Sequence, residues 1–344
     1  VTLLVLWYVC AFVIGLTVGS FLNVCVARLP FEKSLIWPGS CCPACYQPIR
    51  WYDNIPVLSY LWLRGRCRSC GIGIPLRYPA VELLTGVAFV ALFHVEMVAN
   101  WLDLGVLRRN WGLAPGLLPP EALWLFFHHA LLLSFLLVAS LCDLQDMEVP
   151  LSVTGTGTLV GLILATLFPW PFPEPAPQQA GSLPPYSGIY AWPVWYPLPA
   201  WLPAGSWQLG LATGLAGALV GTLLVRLVRS LFEFGRGIEG MGIGDADLMM
   251  MAGAFLGWQP VVLGFFAAAP VGLVFGLAQL LFTGRQALPF VPALSVGLLL
   301  VLFNWPALGR HFAPGFFDPI LMAALTVFLV LGLPALAFLL RLIR

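Results

Sequence analysis

Charge is what this chain has least of: only 9% of its 344 residues are Asp, Glu, Lys or Arg, against about 25% in soluble domains. With 60% hydrophobic residues and a mean hydropathy of +0.93, that scarcity rules out an ordinary soluble domain and implies an all-α polytopic membrane protein. The net charge of +1 provides no basic excess for nucleic acid, so no nucleic-acid partner is expected and the placement of the few charges carries the argument. Also lacking are a basic n-region and a small-residue cleavage site in the run from Val1 to Val26, which reads as a retained first helix facing lipid. No internal repeat of 20 to 50 residues stands out, and no nucleotide-type fingerprint is present.

Long apolar runs are plentiful. After the first, they fall near 80–100, 123–142, 151–169, 207–228, 246–258, 261–282, 288–304 and 319–340, which predicts about eight or nine transmembrane helices. The run at 246–258 is short for a crossing, so 246–282 reads equally as one broken helix. Two polar interruptions divide the chain. One, 31–79, carries cysteines. The other, 170–206, is rich in Pro and Trp and reads as an irregular interfacial loop. The expected organisation is an N-terminal region 1–100 (first span, module 31–79, second span), a membrane domain 123–304 containing the 170–206 loop, and an extra C-terminal span in 305–344. With the N-terminus outside and nine spans, 13 Lys and Arg face the cytoplasm and only Arg108, Arg109 and Arg310 lie outside. The positive-inside rule therefore puts 31–79, 143–150 and 229–245 in the cytoplasm and the 170–206 loop outside.

Within 31–79, Cys42 and Cys45 form one C-x-x-C pair and Cys67 and Cys70 another. Two such knuckles bring four thiolates to a tetrahedron suited to Zn²⁺, and a reducing cytoplasm disfavours the alternatives of disulfides or metal-free redox thiols. Four thiolates leave no open position, so the metal would be structural. Arg64, Arg66 and Arg68 are expected to lower the thiol pKa values, with Cys41 a bystander.

Acidic residues are few enough for each cluster to count. "SLCDLQDMEVP" ends one apolar run, and "GMGIGDADL" opens another, with Gly242 and Gly244 preceding Asp245. The glycines allow unusual dihedrals and close backbone approach, placing Asp245 near a helix N-terminus. Asp143 ends a span at the same membrane face. Ionisable groups at such depth on separate helices suit aspartic proteolysis, in which one carboxylate takes a proton from water and the other donates to the peptide carbonyl. Helix polarity favours Asp245 as the anion and initial base, and Asp143 as the initial acid. The plainer reading is a solvated loop after a span and an N-cap.

Taken in order, "GSFLNVCVARLP", the double C-x-x-C, "PAVELLTG", "DLQDMEVP" and "GMGIGDADL" resemble the bacterial type IV prepilin peptidases, membrane aspartyl proteases with a G-x-G-D motif. The resemblance implies catalysis by Asp143 and Asp245. It also implies removal of the leader from prepilins or pilin-like type II secretion subunits at the cytoplasmic face of the inner membrane, with N-methylation of the new terminus by S-adenosylmethionine in many members. Glu82 is a candidate for holding the substrate's amino terminus, or a Glu snorkelling to the interface. Asn23 either touches substrate or bonds between helices. Two departures stand out, Asp247 where the family usually has Lys and Leu151 where it commonly has Asp. A metal at His94, His128 and His129 is disfavoured, since no acidic partner sits at ligand spacing. Competing readings are a proton or ion pathway, which predicts inverted repeats, and an idle scaffold that binds a partner through its zinc module.

Overall fold

The computed structural model describes residues 2–102, 107, 118–146, 148–168, 201–203, 205–236, 241–283, 289–316 and 318–342. Most of the 170–206 loop, and Arg108 and Arg109, lie outside the described residues, as do the side chains of Asp146 and Arg310. Among the described residues the chain is helical, and no β-strand occurs. The helices are α1 (Thr2–Arg28), α2 (Leu58–Trp62), α3 (Arg77–Phe93), α4 (Pro120–Asp146), α5 (Leu151–Leu167) and α6 (Trp207–Arg236). They continue with α7 (Ile243–Leu256), α8 (Trp258–Thr283), α9 (Val291–Phe316), α10 (Pro319–Val327) and α11 (Leu333–Leu342).

Among the described residues, five helical segments are long and apolar enough to cross a membrane: Leu3–Phe31, Arg77–Val98, Ala122–Gln145, Trp207–Phe234 and Trp258–Phe282. Three shorter apolar helices, Leu151–Leu167, Val291–Trp305 and Ile320–Leu336, coincide with further expected runs. The short run at 246–258 is not a crossing helix by length; α7 holds 14 residues. It is broken from α8 at Gly257, whose φ of +83° is a conformation that side-chain-bearing residues rarely adopt.

The chain divides into two compact units, one formed by 1–100 with 106–142 and the other by 101–105 with 143–344. In the first, α1 lies against α3 through small residues: a Cβ on Gly19 would come within 2.8 Å of Glu82 Cα. Lipid is as apolar as leucine, so close van der Waals approach of this kind, rather than expulsion from water, holds membrane helices together. Phe126 of α4 then meets Phe89 and Phe93 edge-on at 6.3 and 5.7 Å.

In the second unit α7 is the innermost helix. Met249 and the six residues from Met251 to Leu256 are all buried, which fits a helix that is apolar all round. It packs against α5, α6, α8 and α9. Contact with α6 is backbone to backbone, since a Cβ on Gly217 would lie 2.1 Å from the Gly253 carbonyl oxygen and one on Gly221 2.1 Å from that of Met249. The first residues of α7 are thereby fixed, and they carry Asp245.

Candidate active site and metal centre

Asp245 stands in the first turn of α7, three residues after the N-cap Gly242, and its Oδ2 accepts the Gly242 backbone N–H at 2.9 Å. A carboxylate here satisfies one of the donors that every helix start leaves unpaired. Gly242 has φ −72° and ψ 158°, ordinary extended backbone, so dihedral freedom is not why the motif has glycines. Close approach is: a Cβ on Gly244 would sit 3.1 Å from Val149 Cβ, in the segment that leaves α4 after Asp143.

Asp143 lies in the last turn of α4. Its Oδ2 accepts the backbone N–H of Val291 at 3.1 Å, at the very start of α9. Both aspartates are buried, each with 6% of its surface exposed, and they are near enough for their charges to interact. The expected asymmetry between them loses its basis here. Asp143 ends one helix but caps the N-terminus of another, so both carboxyls meet the positive end of a helix. Asp247 turns towards α6, where its Oδ1 is 3.5 Å from Arg226 Nη2; the extra negative charge therefore has a cation facing it. Two buried carboxyls, each accepting a backbone N–H and near enough for their charges to interact, are a pair of the kind that can activate water and polarise a carbonyl.

The four cysteines converge as well. The Sγ atoms of Cys42, Cys45, Cys67 and Cys70 all lie within 4.8 Å of one another, with Cys42 and Cys70 at 3.9 Å. Zn–S bonds of about 2.3 Å in a tetrahedron require S···S separations of about 3.8 Å, so the donor set fits zinc. None of the four is in a disulfide. The two knuckles repeat each other bond for bond. Cys42 N–H donates to Gln47 O and Cys67 N–H to Ile72 O, while Tyr46 N–H donates to Cys42 O and Gly71 N–H to Cys67 O. Tyr46 and Gly71, the residues after each second cysteine, both have positive φ. The N–H groups of Cys45 and Ala44 pull the Cys42 thiol down to about 6. That lowering comes chiefly from the knuckle backbone, with hydrogen bonds from the Cys67 and Cys45 thiols adding to it, and not from the arginines; Arg68 is committed to Asp53, with Nε on Oδ2 at 2.8 Å and Nη2 on Oδ1 at 2.6 Å. The guanidinium in turn holds the Asp53 carboxyl below its usual range. Cys41 pairs with Pro48 in an isolated bridge outside the cluster.

Glu82 and Asn23 face their own chain. Glu82 Oε2 accepts the Val57 N–H at 2.8 Å, and Asn23 Nδ2 donates to Tyr78 O at 3.0 Å. One acidic partner escaped the sequence reading. His129 Nδ1 and Glu96 Oε1 meet at 2.5 Å in a fully buried pair. The sequence signal was there, an acidic residue within an otherwise apolar span, but the two lie on different helices. His94 instead contacts Tyr8 Oη at 2.6 Å, and among the described residues the cysteines are the only group arranged to hold a metal.

Comparison with known proteins joins these parts. Residues 13–95 match the Bacterial Peptidase A24 N-terminal domain, and residues 187–277, which include Asp245, match the Type IV leader peptidase family. A Myxococcus xanthus protein named Prepilin leader peptidase/N-methyltransferase is 35% identical over 280 residues; the match covers 81% of this chain and 65% of that protein. Proteins of the same name from Aeromonas salmonicida and Neisseria gonorrhoeae are each 30% identical. Those matches cover 89% of this chain and 94% of the Aeromonas protein, and 83% and 86% for Neisseria. No solved structure matches the chain. With matches running through both the cysteine module and the second aspartate motif, and near full-length relatives at this identity, the chain belongs to the type IV leader peptidase family.

Proposed function

We propose that this protein is an aspartyl endopeptidase of the bacterial inner membrane that removes the leader peptide from type IV prepilins or pilin-like type II secretion subunits. One observation carries the assignment of Asp143 and Asp245 as the catalytic pair: two motif aspartates from distant parts of the chain are buried in one unit, each on a backbone N–H, with interacting charges. One carboxylate takes a proton from water, whose oxygen attacks the scissile carbonyl, while the other, protonated, donates to the carbonyl oxygen. The C–N bond then breaks and the departing amine takes up a proton. The crossings that precede Asp143 and Asp245, in a peptidase membrane domain of residues 123–304 with 305–344 as an added span, put both aspartates at the cytoplasmic face; the ten Lys and Arg from Arg28 to Arg77 and from Arg226 to Arg236 on that side, against Arg108 and Arg109 outside, support that orientation for eight spans or nine.

Zinc on Cys42, Cys45, Cys67 and Cys70 would hold the 31–79 module together without touching substrate. N-methylation of the new terminus, with S-adenosylmethionine as methyl donor, follows from the relatives' name, and no residue is assigned to it. Glu82 and Asn23 act first on the protein's own backbone. The test is to mix purified full-length protein with a pilin precursor, with and without S-adenosylmethionine, and read the product's terminus by mass spectrometry. Cleavage ahead of the hydrophobic segment, lost in Asp143→Asn and in Asp245→Asn with melting temperature unchanged, is expected. Cleavage that survives both substitutions overturns the assignment.

A further inference from the structure

The module between α1 and α3 turns apolar side chains outward. In α2, Leu58, Leu61 and Trp62 are 63%, 66% and 83% exposed, and positions i, i+3 and i+4 share one helix face. The opposite side of α2 is tied inward, with Tyr60 Oη donating to Ile74 O of the second knuckle. Ile36 and Trp37, 90% and 79% exposed, stand out in the same way ahead of the first knuckle. Exposed aromatic and aliphatic residues in such number on a small polar module do not suit water.

Two bonds set the height of this surface. Glu82, five residues into α3, accepts the Val57 N–H. A rise of about 1.5 Å per residue puts that anchor roughly 7 Å along the helix from Arg77. Leu58 therefore starts α2 beside the first turns of a membrane-length helix. On the other side, Arg28 at the end of α1 donates to Ser34 O and Gly39 O, drawing the 34–39 segment to the end of the first span. The charge also fits. Lys33, Arg50, Arg64, Arg66, Arg68 and Arg77 outnumber Glu32 and Asp53 in and beside the module, and Asp53 is paired with Arg68.

We propose that the α2 stripe, with Ile36 and Trp37, inserts into the headgroup layer of the leaflet from which α1 and α3 emerge. Arg64 and Arg66, just beyond α2, engage anionic phospholipid there. Apolar side chains at the acyl boundary with basic residues at the phosphates are the pattern of an interfacial amphipathic element. The zinc module then lies on the membrane as a fixed plate, and this holds whatever reaction the second unit performs.

The experiment uses full-length protein in nanodiscs of phosphatidylcholine, or of an equal mixture with phosphatidylglycerol. A trace of diazirine phospholipid is included, and adducts are mapped by mass spectrometry after irradiation. Peptides spanning 58–62 should carry lipid, at yields higher by about 5-fold or more with phosphatidylglycerol. Leu61→Ser with Trp62→Ser should abolish those adducts, and Arg64→Gln with Arg66→Gln should remove the phosphatidylglycerol preference; unchanged zinc content reports an intact module in each. Absence of adducts at 58–62 while α1 and α3 label normally overturns the proposal. So does loss of the adducts when a pilin precursor is added, which would assign the stripe to a protein partner.

Discussion

Val291 donates its backbone N–H to Oδ2 of Asp143 at 3.1 Å, so that the last turn of α4 caps the first turn of α9. The donor is one of the unpaired N–H groups of a helix start, and the first helical position is the one at which proline is tolerated. Val291→Pro therefore deletes the bond with little change to the helix. A hydrogen bond to a charged group is worth about 1.5–3 kcal/mol, so cleavage should fall by about 10-fold or more. Val291→Ala, which keeps the N–H, should stay near wild type. Initial rates on a pilin precursor, with thermal melts as the fold control, check this.

Asp245 depends on the seating of α7. A Cβ on Gly253 would fall 2.0 Å from the Gly217 carbonyl oxygen, a backbone atom with no rotamer to yield. Gly253→Ala must push α6 and α7 apart and is expected to cost at least about 1–3 kcal/mol, the range for overpacked cores, with cleavage reduced in step. Gly155→Ala, where nothing lies within 4 Å of the new Cβ, is the matched control and should leave both stability and activity in place. Melting temperature in detergent separates the two.

Much of this site is legible in the sequence because its chemistry resides in side chains with rare neighbours. Asp143, Asp245 and the paired cysteines stand out in a chain with so few polar residues, and their motif spacing survives without coordinates. Val291 is invisible by the same logic, since a backbone donor has no residue-type signature. The helix-polarity argument fails for Asp143 because it considers only the helix that carries the residue and not the one whose N-terminus arrives across the unit. For the glycines of the second motif the sequence offers unusual dihedrals and close backbone approach alike, and Gly244 against Val149 selects close approach. Span counting weakens at α5 and α7, since helices of 17 and 14 residues are at or below the length at which an apolar run separates crossing from burial.

The Glu96–His129 pair has its own consequence. Both side chains are buried, and Glu96 Oε2 and His129 Nε2 have no hydrogen-bond partner among the described residues. Removing one member leaves the other buried alone, at a cost of about 3–5 kcal/mol, whereas replacing both with apolar residues is often neutral. His129→Leu should lower the melting temperature sharply, and Glu96→Leu combined with His129→Leu should recover most of the loss. Thermal unfolding of the two single variants and the double variant in detergent measures the coupling directly. Additive losses would mean that the pair contributes nothing as a pair.

The knuckles make the sharpest prediction about metal, because Cys41 and Cys42 are adjacent in sequence and opposite in role. Cys42 faces the other three thiols, while Cys41 bridges to Pro48 through its backbone and stays outside the cluster. Cys42→Ser should therefore lose the bound zinc, and Cys41→Ser should keep one zinc per chain by elemental mass spectrometry. Structural zinc sites contribute about 10–16 kcal/mol of apparent binding free energy, far more than the short helix α2 and two isolated bridges can replace. Loss of metal should therefore open the module as a unit. Hydrogen exchange across 40–74 should rise together in Cys42→Ser and in chelator-treated wild type, with the amides of Cys42, Tyr46, Cys67 and Gly71 losing protection in both knuckles, since one zinc ion on all four thiolates would tie the two knuckles to each other.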